Sequence, residues 1–254
     1  MSEYLTGFSM SNHALGDMTC TVIANPERAL ADQDKDPLAA RLRDVMIETT
    51  GVHRDVAAVR RYAYGLPDRG RVLCLFKNGE EVVGFNAFHL LNDGKQLLRH
   101  NGFTVLHLGS GHIRPSFQGR KLALESINLY LGLLDDDVRP TIVEGFTQSP
   151  RLLRLVHHST NPNMFPTITD SGESAHLADM QHDLLPVVTG GLKDGVTVRN
   201  RCIVSGLKEQ VYSDRIYSKS PFDSLVYDQL GLQPERGEFV HFIARLMPRR
   251  IQTV

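Results

Sequence analysis

With 254 residues, 41% of them hydrophobic and 22% charged, the chain can bury a sizeable core as one large domain or two small ones, which excludes wholesale disorder. A formal net charge of -1 gives no whole-protein attraction to nucleic acid or to an anionic membrane. No run approaches the roughly 18 apolar residues of a membrane span.

Cys20, Cys74 and Cys202 are widely spaced and form no CxxC, so they read as reduced thiols rather than a disulfide frame. Residues 1–17 are polar and lack the basic stretch followed by an apolar run that marks a secretory leader. They read as a loose segment, and with the thiols they set the expectation of a cytoplasmic protein. The 11 histidines are scattered without an HxxxH or HExxH pair, so no metal site is expected.

In chain order, Thr19 to Ile23 reads as a first short strand. Asp36-Pro37 has the form of a helix start, a capping carboxylate followed by proline at the first helical position. Leu38, Leu42, Val45 and Met46 supply that helix's apolar stripe, and Gly51 ends it. His53 to Tyr64 predicts a second helix with Val56, Val59, Tyr62 and Ala63 inward. Its Arg54, Arg60 and Arg61 read as a solvated face. Arg71 to Phe76 and Val82 to Leu91 are strands joined through Asn78-Gly79, a strong short-range hairpin signal. After a polar loop at Asn92 to Gln96, Gly102 to Ile113 predicts a third antiparallel strand.

The stretch from Leu106 to Leu134 is a buried strand, a tight turn and an amphipathic helix. Pro115 lacks an amide donor and biases Arg114 toward extended backbone, so the strand ends there. Ala123, Ile127, Tyr130, Leu131 and Leu134 then recur at helical spacing. The amides of the first helical turn are unpaired and carry the positive end of the macrodipole, which makes this unit an anion cradle. Pro140 to Phe146 predicts a further strand, and Ser149-Pro150 starts a short helix reaching His158. Phe239 to Met247 is the best closing strand, with Val196 to Val204 as its partner. Ser171 to Val188 and Lys208 to Leu232 are insertions with helix-like parts, Ser224 to Leu230 among them.

Ile113-x-Pro115-x-x-Gln118-Gly119-Arg120-x-Leu122-Ala123 resembles motif A of the GNAT superfamily, the Gcn5-related N-acetyltransferases. The match holds at Ile113, Pro115, Gln118 and Ala123, and Gly119-Arg120 fills the variable pair. It departs at Lys121, where the family usually has glycine. A lysine adds bulk where backbone approaches phosphate, while its charge compensates in part. The order of predicted elements is also that of the family's domain. The resemblance implies an α/β (α+β) GNAT fold, a mixed and mostly antiparallel twisted sheet flanked by helices. Residues 18–165 would form its core. Residues 166–254, in the same domain, would carry closing strands around a long substrate-specific insertion.

The resemblance further implies an acyltransferase with acetyl-CoA or another acyl-CoA as co-substrate and no metal. Gln118, Gly119, Arg120, Lys121, Leu122 and Ala123 would hold the pyrophosphate, and the backbone at Gly111 and Ile113 the pantetheine arm. Gly109-Ser110-Gly111 fits a bulge that frees that backbone, with a plain kink as the alternative. The acceptor would be a small-molecule or peptide amine, with a homodimer as the implied assembly.

Acyl transfer to an amine needs a base, because an amine with a pKa near 10 is almost wholly ammonium at pH 7. His107 stands 11 residues before Gln118, the offset at which the family's histone-type branch places its glutamate base. Imidazole titrates in the right range; a core histidine held by a carbonyl is the competing reading. His112 is the second candidate. His157 falls where many family members have the tyrosine that protonates the leaving thiolate, and a helix C-terminal dipole partner is its alternative. Glu144 reads as a substrate contact or an exposed strand residue. Asp135-Asp136-Asp137 reads as a solvated loop. Two other functions stay open: an acyltransferase with a carrier-protein-bound or longer acyl donor, as in N-acyl amino acid synthases, and a non-catalytic ligand-binding or interaction protein.

Overall fold

A computed structural model describes residues 10–65, 71–91, 99–100, 103–136, 138–160, 163–168, 172–188, 196–206 and 215–246. The elements begin with β1 (Met10–Leu15), β2 (Met18–Ala24), a single turn α1 (Pro26–Ala29), α2 (Asp32–Thr50), α3 (Val56–Ala63), β3 (Val72–Asn78) and β4 (Glu81–Leu90). Then come β5 (Arg99–His100), β6 (Phe103–Ile113), α4 (Leu122–Gly132), β7 (Ile142–Thr147), α5 (Pro150–Thr160) and β8 (Met164–Phe165). The last are α6 (Gly172–Val188), β9 (Thr197–Arg199), β10 (Ile203–Ser205), α7 (Pro221–Asp223) and β11 (Phe239–Arg245). The loop expected at 92–96 and the start of the 208–232 insertion lie outside the described residues. Two compact units divide the chain: Met1–Leu98 with Leu106–Arg139, and Arg99–Val105 with Pro140–Val254.

The first unit is an antiparallel sheet in the order β1–β2–β3–β4–β6. Ile23, Leu73, Leu75 and Phe85 bury one face against Leu42 and Val45 of α2 and Val59 of α3. Each such side chain contributes about 1.5–3 kcal/mol by leaving water. The α3 start is fixed by Asp55, whose carboxylate accepts from the Ala58 amide at 2.5 Å. Gly51 closes α2 in the left-handed region at φ 71. The hairpin expected at Asn78-Gly79 is present, with Gly79 at φ 58. Helix α4 packs on the other face, where Tyr130 meets Phe88 with ring centroids 4.9 Å apart.

Two expectations are corrected in this unit. Residues 10–15, read as loose, form β1, which pairs with β2 from Met18 to Ile23. Their alternating exposed and half-exposed pattern is that of a polar edge strand, without the apolar alternation that reveals inner strands. Asp36-Pro37 lies inside α2, which begins at Asp32. Asp32 and Asp34 favour that earlier first turn electrostatically. Lys35 secures it, with its ammonium 2.8 Å from Asp32 and 3.4 Å from Glu27. The Tyr64 hydroxyl donates to the Lys35 carbonyl at 2.8 Å.

The second unit is also antiparallel, in the order β7–β11–β10–β9, with β8 pairing β11 and β5 pairing the first residues of β6. The strand expected over Val196 to Val204 is two strands. Asn200 and Arg201 both take positive φ, 49 and 64, and turn the chain back tightly. The helix-like stretch at Ser224 to Leu230 is a wide π turn after α7. Ser220 and Asp223 start it as a capping box. Helix α6 spans most of the first insertion, and the closing strand is β11 as expected.

Candidate functional site

The site begins with an irregularity in β6. Asn86 pairs with Gly111 and Phe88 with Leu108, so β6 spends three steps where β4 spends two. This is the bulge expected at Gly109-Ser110-Gly111. Both glycines are needed for close approach. A Cβ on Gly109 would lie 2.8 Å from the Ala87 carbonyl oxygen, and one on Gly111 would overlap Asn86 Oδ1. Asn86 is buried, and its Nδ2 donates to Ser126 Oγ at 2.9 Å and to the Ala123 carbonyl at 3.3 Å. The bulge is thereby tied to the first turns of α4.

Beyond β6 the chain makes a 3-10 turn over Pro115–Phe117 and then the cradle. Gln118 donates its Nε2 to the Ile113 carbonyl at 2.9 Å, folding the turn back on the strand end. Gly119 takes φ 84, and Lys121 takes φ 60 and ψ 14. Lys121 thus adopts the left-handed backbone that a glycine at this position adopts freely. Its side chain is exposed. The first helical hydrogen bond runs from the Glu125 amide to the Lys121 carbonyl at 2.9 Å. The amides of Leu122, Ala123 and Leu124 stand ahead of that bond at the positive end of α4. Arg120 reaches away and pairs with Asp17. The sequence motif is thus folded into a turn and a helix head whose first amides have no intrahelical partner.

His107 pairs in register with His89, and their rings lie 4.8 Å apart. His112 pairs with Phe85, four residues before His89 on β4, so the extra residue of the bulge puts both β6 histidines on one face. His112 is enclosed, its Nδ1 2.9 Å from Thr49 Oγ1 of α2. Burial, and secondarily the Arg54 charge, push its pKa down to about 4. That is the profile of a core histidine.

In the second unit, Glu144 and His241 are both fully enclosed, with Oε2 and Nε2 3.0 Å apart and His241 stacked on Phe146. Glu144 is thus a partnered interior carboxylate, and the exposed-strand alternative does not hold. His157 packs edge-on against Phe222, with centroids 5.2 Å apart. Burial, and then the charge of His158, lower its pKa. Its Nε2 is buried with no partner among the described residues.

Sequence reasoning missed Asn86, Asp17 and His241. Asn86 did leave a signal, a lone amide inside the apolar run Val82 to Leu91. The pairings of Asp17 with Arg120 and of His241 with Glu144 span 103 and 97 residues, beyond any local pattern. Among the described residues, no group of three or more His, Cys, Asp or Glu could hold a metal ion. No helix among them is long and apolar enough to cross a membrane.

The first unit has the predicted order of a strand, two helices, three antiparallel strands, a turn and helix α4, with β1 and the single turn α1 in addition. Neither a family model nor a curated protein matches the sequence. Among solved structures the chain is similar to Arabidopsis thaliana NAA60 in complex with a bisubstrate analogue, at 12% identity, over 54% of this chain and 81% of that one, with a TM-score of 0.37. It is similar to the GNAT domain of S. lividans PAT at 9% identity, over 57% and 84%, with a TM-score of 0.38. A third is the GphF GNAT-like decarboxylase in complex with isobutyryl-CoA, at 13% identity, over 84% and 96%, with a TM-score of 0.40.

Proposed function

We propose that the protein is an acyl-CoA-dependent N-acyltransferase that moves a short acyl group, acetyl in the first instance, from CoA to an amine by direct attack. The cradle carries this reading. Three helix-head amides without an intrahelical partner and a left-handed approach at Gly119 and Lys121 suit a diphosphate. Gln118, Gly119, Arg120, Lys121, Leu122 and Ala123 are the residues proposed to line it. Gln118 acts by holding the turn shut. The amides at Gly111 and Ile113, beside the bulge, are proposed partners of the pantetheine arm.

In the proposed reaction the amine nitrogen attacks the thioester carbonyl carbon. The N–C bond forms, the C–S bond breaks, and the amine proton leaves to a base while the departing thiolate gains one. His107, half-buried beside His89, is the proposed base. Glu144, enclosed against His241, is left out of the proposed chemistry. The acceptor is a small-molecule or peptide amine. The protein is proposed to work as a soluble cytoplasmic enzyme.

Thermal unfolding with and without CoA tests the donor. A rise in Tm is expected, because a ligand that binds only the native state stabilises it. Acyl transfer from acetyl-CoA to a panel of amines tests the chemistry. No shift with CoA and no transfer would leave the cradle without its proposed ligand.

A further inference from the structure

Arg120 belongs to the cradle turn, yet a carboxylate more than a hundred residues away claims it. Its Nη1 lies 3.1 and 3.2 Å from the two oxygens of Asp17, in the turn between β1 and β2. The guanidinium is held over the Phe117 ring, 5.1 Å from its centroid. Nη2 and Nε of Arg120 have no partner among the described residues. The pair borders a groove of ≈ 540 Å³ whose walls include Leu15, Leu122 and Glu125, all in the first unit.

We propose that Asp17 is a positioning residue that sets the charge selectivity of the cradle by competing with the bound anion for Arg120. The proposal rests on the reading of the cradle as a diphosphate site. An anion on the α4 amides draws the guanidinium towards itself, while Asp17 holds one edge of the fork and repels the incoming charge. Both partners are substantially solvated, with side chains 44% and 76% exposed, so the pair is loose enough to exchange. A multiply charged diphosphate gains more from Arg120 than Asp17 does; a monoanion does not. The hairpin turn thereby biases the site towards ligands carrying at least two negative charges.

Calorimetric titration with inorganic pyrophosphate and with CoA, at low ionic strength, tests this on the full chain. Asp17→Asn is expected to tighten pyrophosphate about two- to fivefold, the range an exposed ion pair covers. Asp17→Glu restores the original affinity, and the gain fades in about 0.5 M salt as screening sets in. In an Arg120→Gln background the same change at Asp17 brings no gain. Equal affinity of Asp17→Asn and the parent protein overturns the proposal, as does an undiminished gain without Arg120. In either case binding by the parent protein leaves the cradle reading intact. If neither anion binds the parent or Asp17→Asn, the cradle reading itself fails and this proposal with it.

Discussion

Asn86 of β4 donates its side-chain amide to the Ser126 hydroxyl of α4 at 2.9 Å, and Ser126 donates onward to the Ala123 carbonyl at 2.9 Å. This short relay fixes the distance between the bulged strand and the helix head. Truncating Asn86 to alanine leaves the Ser126 hydroxyl short of a donor and removes packing against Gly111. Asn86→Ala is expected to lower stability by about 1–3 kcal/mol and to weaken CoA binding as well. Urea unfolding and calorimetry measure the two effects. A destabilised variant with unchanged CoA affinity would separate the relay from the cradle.

Gly111→Ala tests the same junction from the strand side. The added methyl overlaps Asn86 Oδ1, whose side chain cannot move without breaking its bond to Ser126. A loss of about 1–3 kcal/mol is expected from this overpacking. In combination with Asn86→Ala the loss should fall short of the sum, because the clash has gone.

Lys121 adopts φ 60, a conformation that costs a non-glycine residue about 1 kcal/mol. Lys121→Gly is therefore expected to stabilise the fold by up to about 1 kcal/mol, the glycine's extra unfolded-state entropy offsetting part of the gain. The same change removes a cation from the cradle, so the salt dependence of CoA binding becomes shallower. A variant less stable than the parent would mean that the lysine side chain supports the turn.

His112 links stability to pH with a definite sign. Its pKa in the folded protein is about 4, against about 6.5 when unfolded. Between those values the unfolded chain binds the proton more readily, so stability falls as pH drops through this window. It is fully present above about 6.5 and changes no further, on this account, below about 4. The total is on the order of 3 kcal/mol. Unfolding midpoints from pH 7 to 4 should fall less steeply in His112→Gln than in the parent protein; identical slopes would assign the acid loss to other groups.

Glu144 and His241 illustrate the asymmetry of buried pairs. Glu144→Leu leaves an interior histidine without its partner and is expected to cost about 3–5 kcal/mol. Replacing both residues with apolar ones removes the orphan, so Glu144→Leu combined with His241→Phe should recover part of the loss. Chemical denaturation of Glu144→Leu, His241→Phe and the double variant reads this directly. A double-variant loss equal to the sum of the two single losses would indicate that the pair contributes no coupling.

His107→Ala addresses the proposed base. A general base contributes about a hundredfold or more in rate, so turnover should fall by at least that much while CoA affinity holds. A fall in affinity with unchanged turnover per bound CoA would make His107 a structural partner of His89.

The inner sheet of the first unit was legible because its cause is local. Asn78-Gly79 sets the hairpin, Pro115 ends β6, and periodic apolar residues mark α2, α3 and α4. The bulge was legible from two glycines that leave no room for a side chain. β1 was not, because an edge strand with one exposed face carries no apolar alternation. The start of α2 was hidden because Asp32, Lys35 and Glu27 outweigh the local signal of Asp36-Pro37. In the second unit, a three-residue strand and a turn at Asn200-Arg201 are too short to show a period. The motif gave the cradle residues. The partners that hold them, Asn86 and Asp17, come from distant segments and emerge only when the chain is folded.

The most direct measurement is a crystal structure of the protein grown with CoA. The diphosphate oxygens are predicted within about 3 Å of the amides between Gly119 and Leu124, the hydrogen-bond distance for N–H to oxygen. A cradle left bare, with the Lys121 side chain folded across it or the nucleotide bound elsewhere, would contradict the account.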